Sequence, residues 1–380
     1  MAELLIAAGP GEWRAAWVED GDAVELYVER GDTKPPGSIH LGRIVRMVPA
    51  LDAALVDIGE DRPGFLPLRD IPPKVKAEEG ARLIVAVRRE AWADKAPRLT
   101  AKIADPPALV ADLVPPAQLF PPPGLAVALA LRLPEMPRRI VADDAAILAE
   151  LRTAFPKAEI AQQDPADWPI DLDAAFDAAL AQSLALDRGG AVHIEETRTA
   201  TMIDVDTGTP EGGSSARAAL AANRAAARLI AGELRRRNIG GAIVIDFVGL
   251  GRRDHREQVR QTLEAALTAD PAKPQIFGWT RLGHLEVTRP RRARSLADAM
   301  LEPGARAQQP VALAHEVLRR LAREARANPA VSWRLTVPHA VEAVLKGPAA
   351  AALKALETRL GRKIAIATAP VGAGFDISAI

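Results

Sequence analysis

Apolar and polar positions alternate with a period of two near the start of the chain and shift to helical spacing in its second half. Leu4–Ala8, followed by the alternation through Trp17-Val18 and Val24–Val28, predicts two strands around a turn at Gly9-Pro10-Gly11. A Gly- and Pro-rich loop runs from Gly31 to Gly37. Between Ser38 and Thr100, the short apolar runs Ile39–Val45, Ala53–Gly59, Gly64–Leu68 and Arg82–Val87 are separated by turn residues, a rhythm that predicts a small barrel. Prolines then crowd the stretch from Ala104 to Pro137, which rules out long helices and central strands and reads as a linker or irregular cover.

Arg138–Val141 predicts a strand leading to a helix capped near Asp143 or Asp144, and Asp171–Leu186 has helical spacing. After Gly189-Gly190, Ala191–Asp204 reads as a long strand or hairpin. Ser214 or Ser215 can cap a helix that runs to Arg237 and stops at Asn238-Ile239-Gly240-Gly241. Gly241–Phe247 is the next strand, Asp254–Leu267 a helix, and Pro274–Thr288 a pair of strands about Leu282-Gly283. Beyond Pro310 the pattern is helix (Val311–Ala327), strand (Val331–Val337), helix (Ala340–Arg359) and strand (Lys363–Ala367), a small α/β unit of its own.

With 380 residues, 48% hydrophobic and 26% charged, the chain has the balance of two or three globular domains. No apolar run is long enough to cross a bilayer. Glu3 stands where a secretory leader is basic, and Gly9-Pro10-Gly11 ends the first apolar run early, so a cytoplasmic location is expected. Zero cysteines exclude disulfides and thiolate metal sites, and the six histidines show no metal-ligand spacing, so any metal must be held by oxygen. Lys plus Arg equals Asp plus Glu at 49 each; a nucleic acid would be held by local clusters, not by net charge.

Met202-Ile203-Asp204-Val205-Asp206 and Ile243-Val244-Ile245-Asp246 each read as a buried strand ending in an acid, with one Ala-rich helix between them. A strand–helix–strand unit brings the ends of its strands side by side, so Asp204 and Asp246 can meet although 42 positions separate them. Paired carboxylates suit a hard cation such as Mg²⁺. Strand-end or turn aspartates without a metal are the plain alternative.

Read in order, the segments resemble the ribonuclease E/G family of bacterial endoribonucleases. The resemblance rests on Gly37–Ile44, Ala53–Gly59 and Gly64–Leu68 in the barrel. It continues through Gly189-Gly190, Ile194–Thr197, Ile203–Gly208, Asn223, Gly240–Phe247 and Arg281–Arg289, and covers about three quarters of the chain. It implies an α/β multidomain fold. An S1-like (OB-fold) β-barrel at 37–103 would be inserted in a catalytically silent RNase H-like subdomain of 1–36 and 138–188. A DNase I-like catalytic subdomain at 189–303 and a small C-terminal α/β domain at 304–380 would follow, with 104–137 a Pro-rich linker in place of the family's 5′ sensor. Asp204 and Asp246 match the family's magnesium-binding aspartates, and Asp206 stands where an asparagine is usual. Arg43, Arg46, Phe65 and Arg69 of the barrel and Arg281, Arg289, Arg291 and Arg292 near the acids are candidate RNA contacts. His193 and His284 read as ordinary strand residues, and Arg235-Arg236-Arg237 as cations favoured by a helix C-terminus.

The implied activity is Mg²⁺-dependent cleavage of single-stranded RNA, leaving 5′-phosphate ends, with Mn²⁺ a possible substitute and no zinc. No membrane partner is expected. A homodimer is compatible with the sequence, but the family's zinc-linked tetramer is not expected without cysteine. Gly249 and Leu55 depart from a usual acid and a usual aromatic of the family. Leu151-Arg152-Thr153-Ala154 looks like the sensor motif but falls on the wrong side of Val141–Asp144 and reads as helix surface. The altered Asp206 and the missing sensor leave a second reading open, a catalytically degenerate RNA-binding protein acting as an RNA chaperone or ribosome-associated factor.

Overall fold

The computed structural model describes all residues except 1, 31–33, 35, 74, 92–95, 104–112, 120–128, 130–131, 188, 208–215, 292, 303–306 and 371–373. The chain divides into two compact units, one of Met1–Val28, Pro137–Asp143 and Ala161–Ile380, the other of Glu29–Met136 and Asp144–Ile160. The described residues of the expected linker up to Met136, and 144–160, thus group with the barrel. Among the described residues, no helix is long and apolar enough to cross a membrane.

The N-terminus is a three-stranded meander, β1 (Glu3–Gly9), β2 (Glu12–Glu19) and β3 (Asp22–Arg30), where the sequence reading has two strands. The second reversal is made by Asp20-Gly21, both at positive φ (51° and 91°), the Asp-Gly pair that suits a two-residue hairpin turn.

The barrel follows. Strands β4 (Ile39–Val48), β5 (Ala53–Asp57), β6 (Gly64–Pro67), β7 (Arg82–Arg89) and β8 (Arg98–Thr100) pair in the order β5-β6-β8-β7-β4, and a β4–β5 pairing closes the ring. Alternate residues point inward, so Ile44, Val56, Leu66, Val85, Val87 and Leu99 form the core. Glycine is required at Gly64, where a Cβ would run into the Leu99 side chain. The Pro-rich stretch is more than a cover, because its two-residue strand β9 (Ala117–Gln118) pairs with β4. Prolines permit this at an edge, where one side of the strand needs no donors.

Strand β10 (Arg139–Ala142) pairs in parallel with β1, on the side of β1 away from β2. Asp144 accepts a hydrogen bond from the Ala146 N–H at 3.0 Å and caps a short turn before helix α1 (Leu148–Ala154). With β11 (Glu159–Gln162), the sheet has the order β11-β10-β1-β2-β3. Helix α2 (Leu172–Leu180) packs Leu172, Phe176 and Ala179 against Leu5, Val18 and Val141. The expected helix through Leu186 stops at Leu180 because β12 (Ser183–Ala185) pairs with the next strand and turns Leu184 toward another core.

That core belongs to a six-stranded sheet built from β12, β13 (Ala191–Glu196), β14 (Ala200–Asp206), helix α3 (Ala216–Arg236), β15 (Gly241–Asp246), helix α4 (Arg253–Leu267), β16 (Gln275–Trp279) and β17 (Leu285–Arg289). Its order is β12-β13-β14-β15-β17-β16. The pair β14–β15 is parallel and α3 is its crossover, as the strand–helix–strand reading requires. Proposed caps Ser214 and Ser215 lie outside the described residues. Ile203, Val205, Ile243 and Ile245 bury one sheet face against Ala226, Ile230, Val259 and Leu263 of the two helices.

After α5 (Leu296–Met300), helix α6 (Pro310–Ala327), β18 (Trp333–Val337), α7 (His339–Lys346), α8 (Ala350–Leu360), β19 (Ala365–Thr368) and β20 (Asp376–Ala379) form the C-terminal α/β region, with sheet order β19-β18-β20. One long helix was expected over Ala340–Arg359. It is broken at Gly347-Pro348, since proline cannot continue the backbone ladder.

Candidate active site

Strand β14 alternates buried and exposed residues, so Ile203 and Val205 enter the core while Met202, Asp204 and Asp206 leave the opposite face. In the parallel register of β14 and β15, the Cα partner of Asp204 is Asp246. Neighbouring strands lie about 4.8 Å apart, which sets the two carboxylates side by side. His193 of β13 is the antiparallel partner of Asp204. His284, in the turn before β17, brings its Nε2 to 3.5 Å from Asp246 Oδ2.

These four side chains and Glu195 line an open cleft of about 900 Å³, whose rim includes Gln182, Ser183, Met202 and Leu301. No lysine or arginine is among the described residues lining it. Two hard oxygen donors facing solvent in this way fit a divalent cation whose remaining ligands are water and substrate. Among the described residues no group of three or more His, Asp or Glu gathers as a protein cage for a metal. Asp206 lies on the same strand face, opposite Ala191, and is not among the residues lining the cleft.

The turn after Asp246 is held from behind. Asn223, fully buried on α3, donates from Nδ2 to the Val248 carbonyl at 2.6 Å and accepts from the Val248 N–H at 3.2 Å through Oδ1. Phe247 packs on Trp279 with ring centroids 6.0 Å apart. Asp246 therefore projects from a backbone fixed on both sides. Asn223 is legible in the sequence, whereas His193 and His284 look there like ordinary strand residues. Strand pairing for His193 and the tight Leu282-Gly283 turn for His284 are the signals that place them.

Arg289, expected among the RNA contacts, is buried instead of lying on the surface. It is 3% exposed, with Nε 2.7 Å from Asp270 Oδ2, Nη2 3.2 Å from Asp270 Oδ1, and Nη1 donating to Asn238 Oδ1 at 3.1 Å and the Ile239 carbonyl at 3.0 Å. Its alternation inward on β17 explains the burial, and Asp270 neutralises it. Arg291 is partly drawn into the same corner, donating from Nε to the Gly240 carbonyl at 2.9 Å. Arg281 is exposed, and Arg292 lies outside the described residues. Arg235 pairs with Glu25 at 2.7 Å and Glu19 at 2.8 Å, while Arg237 pairs with Glu233 at 2.6 Å, so these members of the triple-arginine run serve the fold.

On the barrel, Leu66 enters the core while Phe65 points away from it, half-exposed. Phe65 is the register partner of Leu55 on β5 and of Arg98 on β8, and Leu55 is the partner of Arg46 on β4. Arg43 and Arg46 are exposed on either side of a bulge in β4, and Arg69 is exposed in the one-turn helix after β6. An apolar pair flanked by guanidinium groups therefore crosses four strands of one barrel face. Leu151 of the sensor-like motif is buried on α1, and Thr153 donates to the Ala149 carbonyl at 3.0 Å, as a helix residue does.

Fold and cleft together define a multidomain α/β protein with an OB-like barrel and paired acids at the ends of adjacent parallel strands. Residues 139–292, from β10 to just past β17, match the sequence profile of the Ribonuclease E/G family. The chain is 25% identical to Ribonuclease G of Salmonella typhimurium (strain SL1344) and 24% identical to Ribonuclease G of Escherichia coli (strain K12), each over 97% of both chains. It is 26% identical to Ribonuclease E of Nostoc sp., over 78% of this chain and 57% of that protein. The profile match and these relatives together support a relationship to the ribonuclease E/G family. The two Ribonuclease G alignments run over 484 positions against a chain of 380, so those relatives carry segments that this chain lacks.

Proposed function

We propose that this protein is an endoribonuclease that hydrolyses phosphodiesters of single-stranded RNA, dependent on Mg²⁺ or Mn²⁺ held by Asp204 and Asp246. The observation that carries the reading is the register pairing of those two acids at a cleft that, among the described residues, is lined by no lysine or arginine. The names of the relatives, Ribonuclease G and Ribonuclease E, supply the substrate class. When bound, the cation would polarise a phosphate oxygen and lower the pKa of a coordinated water.

The chain's own groups have separate duties. Asp204 and Asp246 supply charge and oxygen ligands, and Asn223 fixes the turn that aims Asp246. His284, 3.5 Å from Asp246, orients that carboxylate. Asp206, an acid in place of an amide, adds negative charge on the same strand face and acts on the site through that field. On the barrel, Phe65 and Leu55 offer a surface for base stacking while Arg43, Arg46 and Arg69 follow phosphates. The products carry 5′-phosphate ends.

A labelled single-stranded RNA incubated with the protein and Mg²⁺ is expected to be cut internally, and chelator is expected to stop the reaction. RNA that is bound but stays intact in Mg²⁺ and in Mn²⁺ would favour the degenerate, RNA-binding alternative raised by Asp206.

A further inference from the structure

Edge strand β16 departs from regular alternation at one place. Its register with β17 runs Gln275–Thr288, Ile276–Val287, Gly278–Glu286 and Trp279–Leu285, with a bulge between Ile276 and Gly278 and Gly278 at φ 128°. Without the extra residue, Ile276 and Trp279 would face opposite sides of the sheet. With it, both pack against the helix-side core and Trp279 meets Phe247. Phe277, the residue spared by that arrangement, is left 68% exposed. Bulges that re-aim one side chain cluster beside active sites.

The register also says where Phe277 stands. Glu286 pairs with Val244 as well as Gly278, and Val244 shares a sheet face with Asp246. Phe277 is therefore on the acid-bearing face. It lies two strand spacings from β15, about 10 Å, and two residues back along the strand direction, about 7 Å, hence roughly 12 Å from Asp246. A single exposed aromatic is ordinary on a protein surface. One isolated by a bulge, on the face of paired acids, with exposed Arg281 in the turn that follows its strand, is arranged to meet a planar, anionic polymer.

We infer that Phe277 is a base-stacking residue of the cleavage site, holding an unpaired base of RNA near the scissile phosphate so that the strand lies across Asp204 and Asp246. The inference rests on the proposed ribonuclease activity and adds to it a substrate-positioning residue. Stacking tolerates any base, so Phe277 selects for unpaired over paired RNA and not for sequence.

The test is single-turnover cleavage and anisotropy binding of matched single-stranded RNAs, each with one abasic nucleotide at a successive position about the cut. The unmutated protein is expected to lose about tenfold in affinity at one position. Phe277→Ala is expected to lose a similar factor on intact RNA and to become indifferent to the abasic substitution at that position. Phe277→Trp restores the dependence. A Phe277→Ala protein as sensitive to every abasic site as the unmutated one, or unchanged on intact RNA, overturns the inference. So does light scattering in which Phe277→Ala only separates copies of the chain, since the edge would then be a protein interface. Failure of the unmutated protein to cut any RNA sinks the ribonuclease reading instead, and the binding series still reports on Phe277.

Discussion

Replacing Arg289 by Met separates a folding role from an RNA-binding role at a residue whose sequence context suggests the second. The guanidinium is buried with four hydrogen bonds, two of them to Asp270, itself 4% exposed. Methionine keeps much of the volume and removes the charge, so Asp270 is left buried without its cation. Breaking a buried pair from one side costs about 3–5 kcal/mol, far more than the roughly 0–1 kcal/mol of an exposed pair. For a region of this size that corresponds to a fall in melting temperature of roughly 6–20 °C. Pairing the change with Asp270→Asn is expected to recover part of the loss, because no uncompensated charge remains. Thermal melts by circular dichroism measure both variants, and anisotropy with a labelled RNA below the transition measures binding. An Arg289→Met protein that melts normally but binds RNA several-fold more weakly would refute the reasoning.

Phe65→Ala should weaken binding to single-stranded RNA by about 1–3 kcal/mol with the barrel still folded by circular dichroism; an unchanged affinity would mean that no base stacks there. His40 is buried in the barrel, and burial, helped by Lys34, pushes its pKa down to about 4 from an ordinary 6.5. Its neutral form is therefore the folded one: the stability it contributes is complete above pH 6.5 and is lost as the pH falls toward 4, by up to about 3 kcal/mol, so urea midpoints of His40→Gln should depend less on pH across that window. Cleavage rates on matched RNAs carrying 5′-monophosphate, 5′-triphosphate or 5′-hydroxyl ends should be equal. A several-fold preference for the monophosphate would show that some surface of this protein senses the 5′ end, against the expectation that 104–137 is a linker without a sensor.

What could be read from the sequence was whatever a repeating period fixes. The alternation of Met202–Asp206 and of Ile243–Asp246, joined by one amphipathic helix, determines both the crossover and the face each acid takes, and the structure has that crossover. Elements set by a single turn or by distant pairing were harder to see. Asp20-Gly21 splits what reads as one strand, Gly347-Pro348 splits what reads as one helix, and Ser183–Ala185 carries helical spacing yet joins a sheet edge. Arg289 looks like a phosphate ligand until Asp270, 19 residues earlier, is seen beside it. The bulge that exposes Phe277 depends on the register of two strands, which no local pattern encodes.

The central claim is that Asp204 and Asp246 share one divalent cation, and a crystal soaked in Mn²⁺ tests it most directly through anomalous scattering. A single strong peak is expected between the two carboxylates, on the His284 side of the sheet, and it disappears in Asp246→Asn together with RNA cleavage. Cleavage at the full rate by Asp246→Asn, or a peak bound elsewhere while the two acids stay bare, would contradict it.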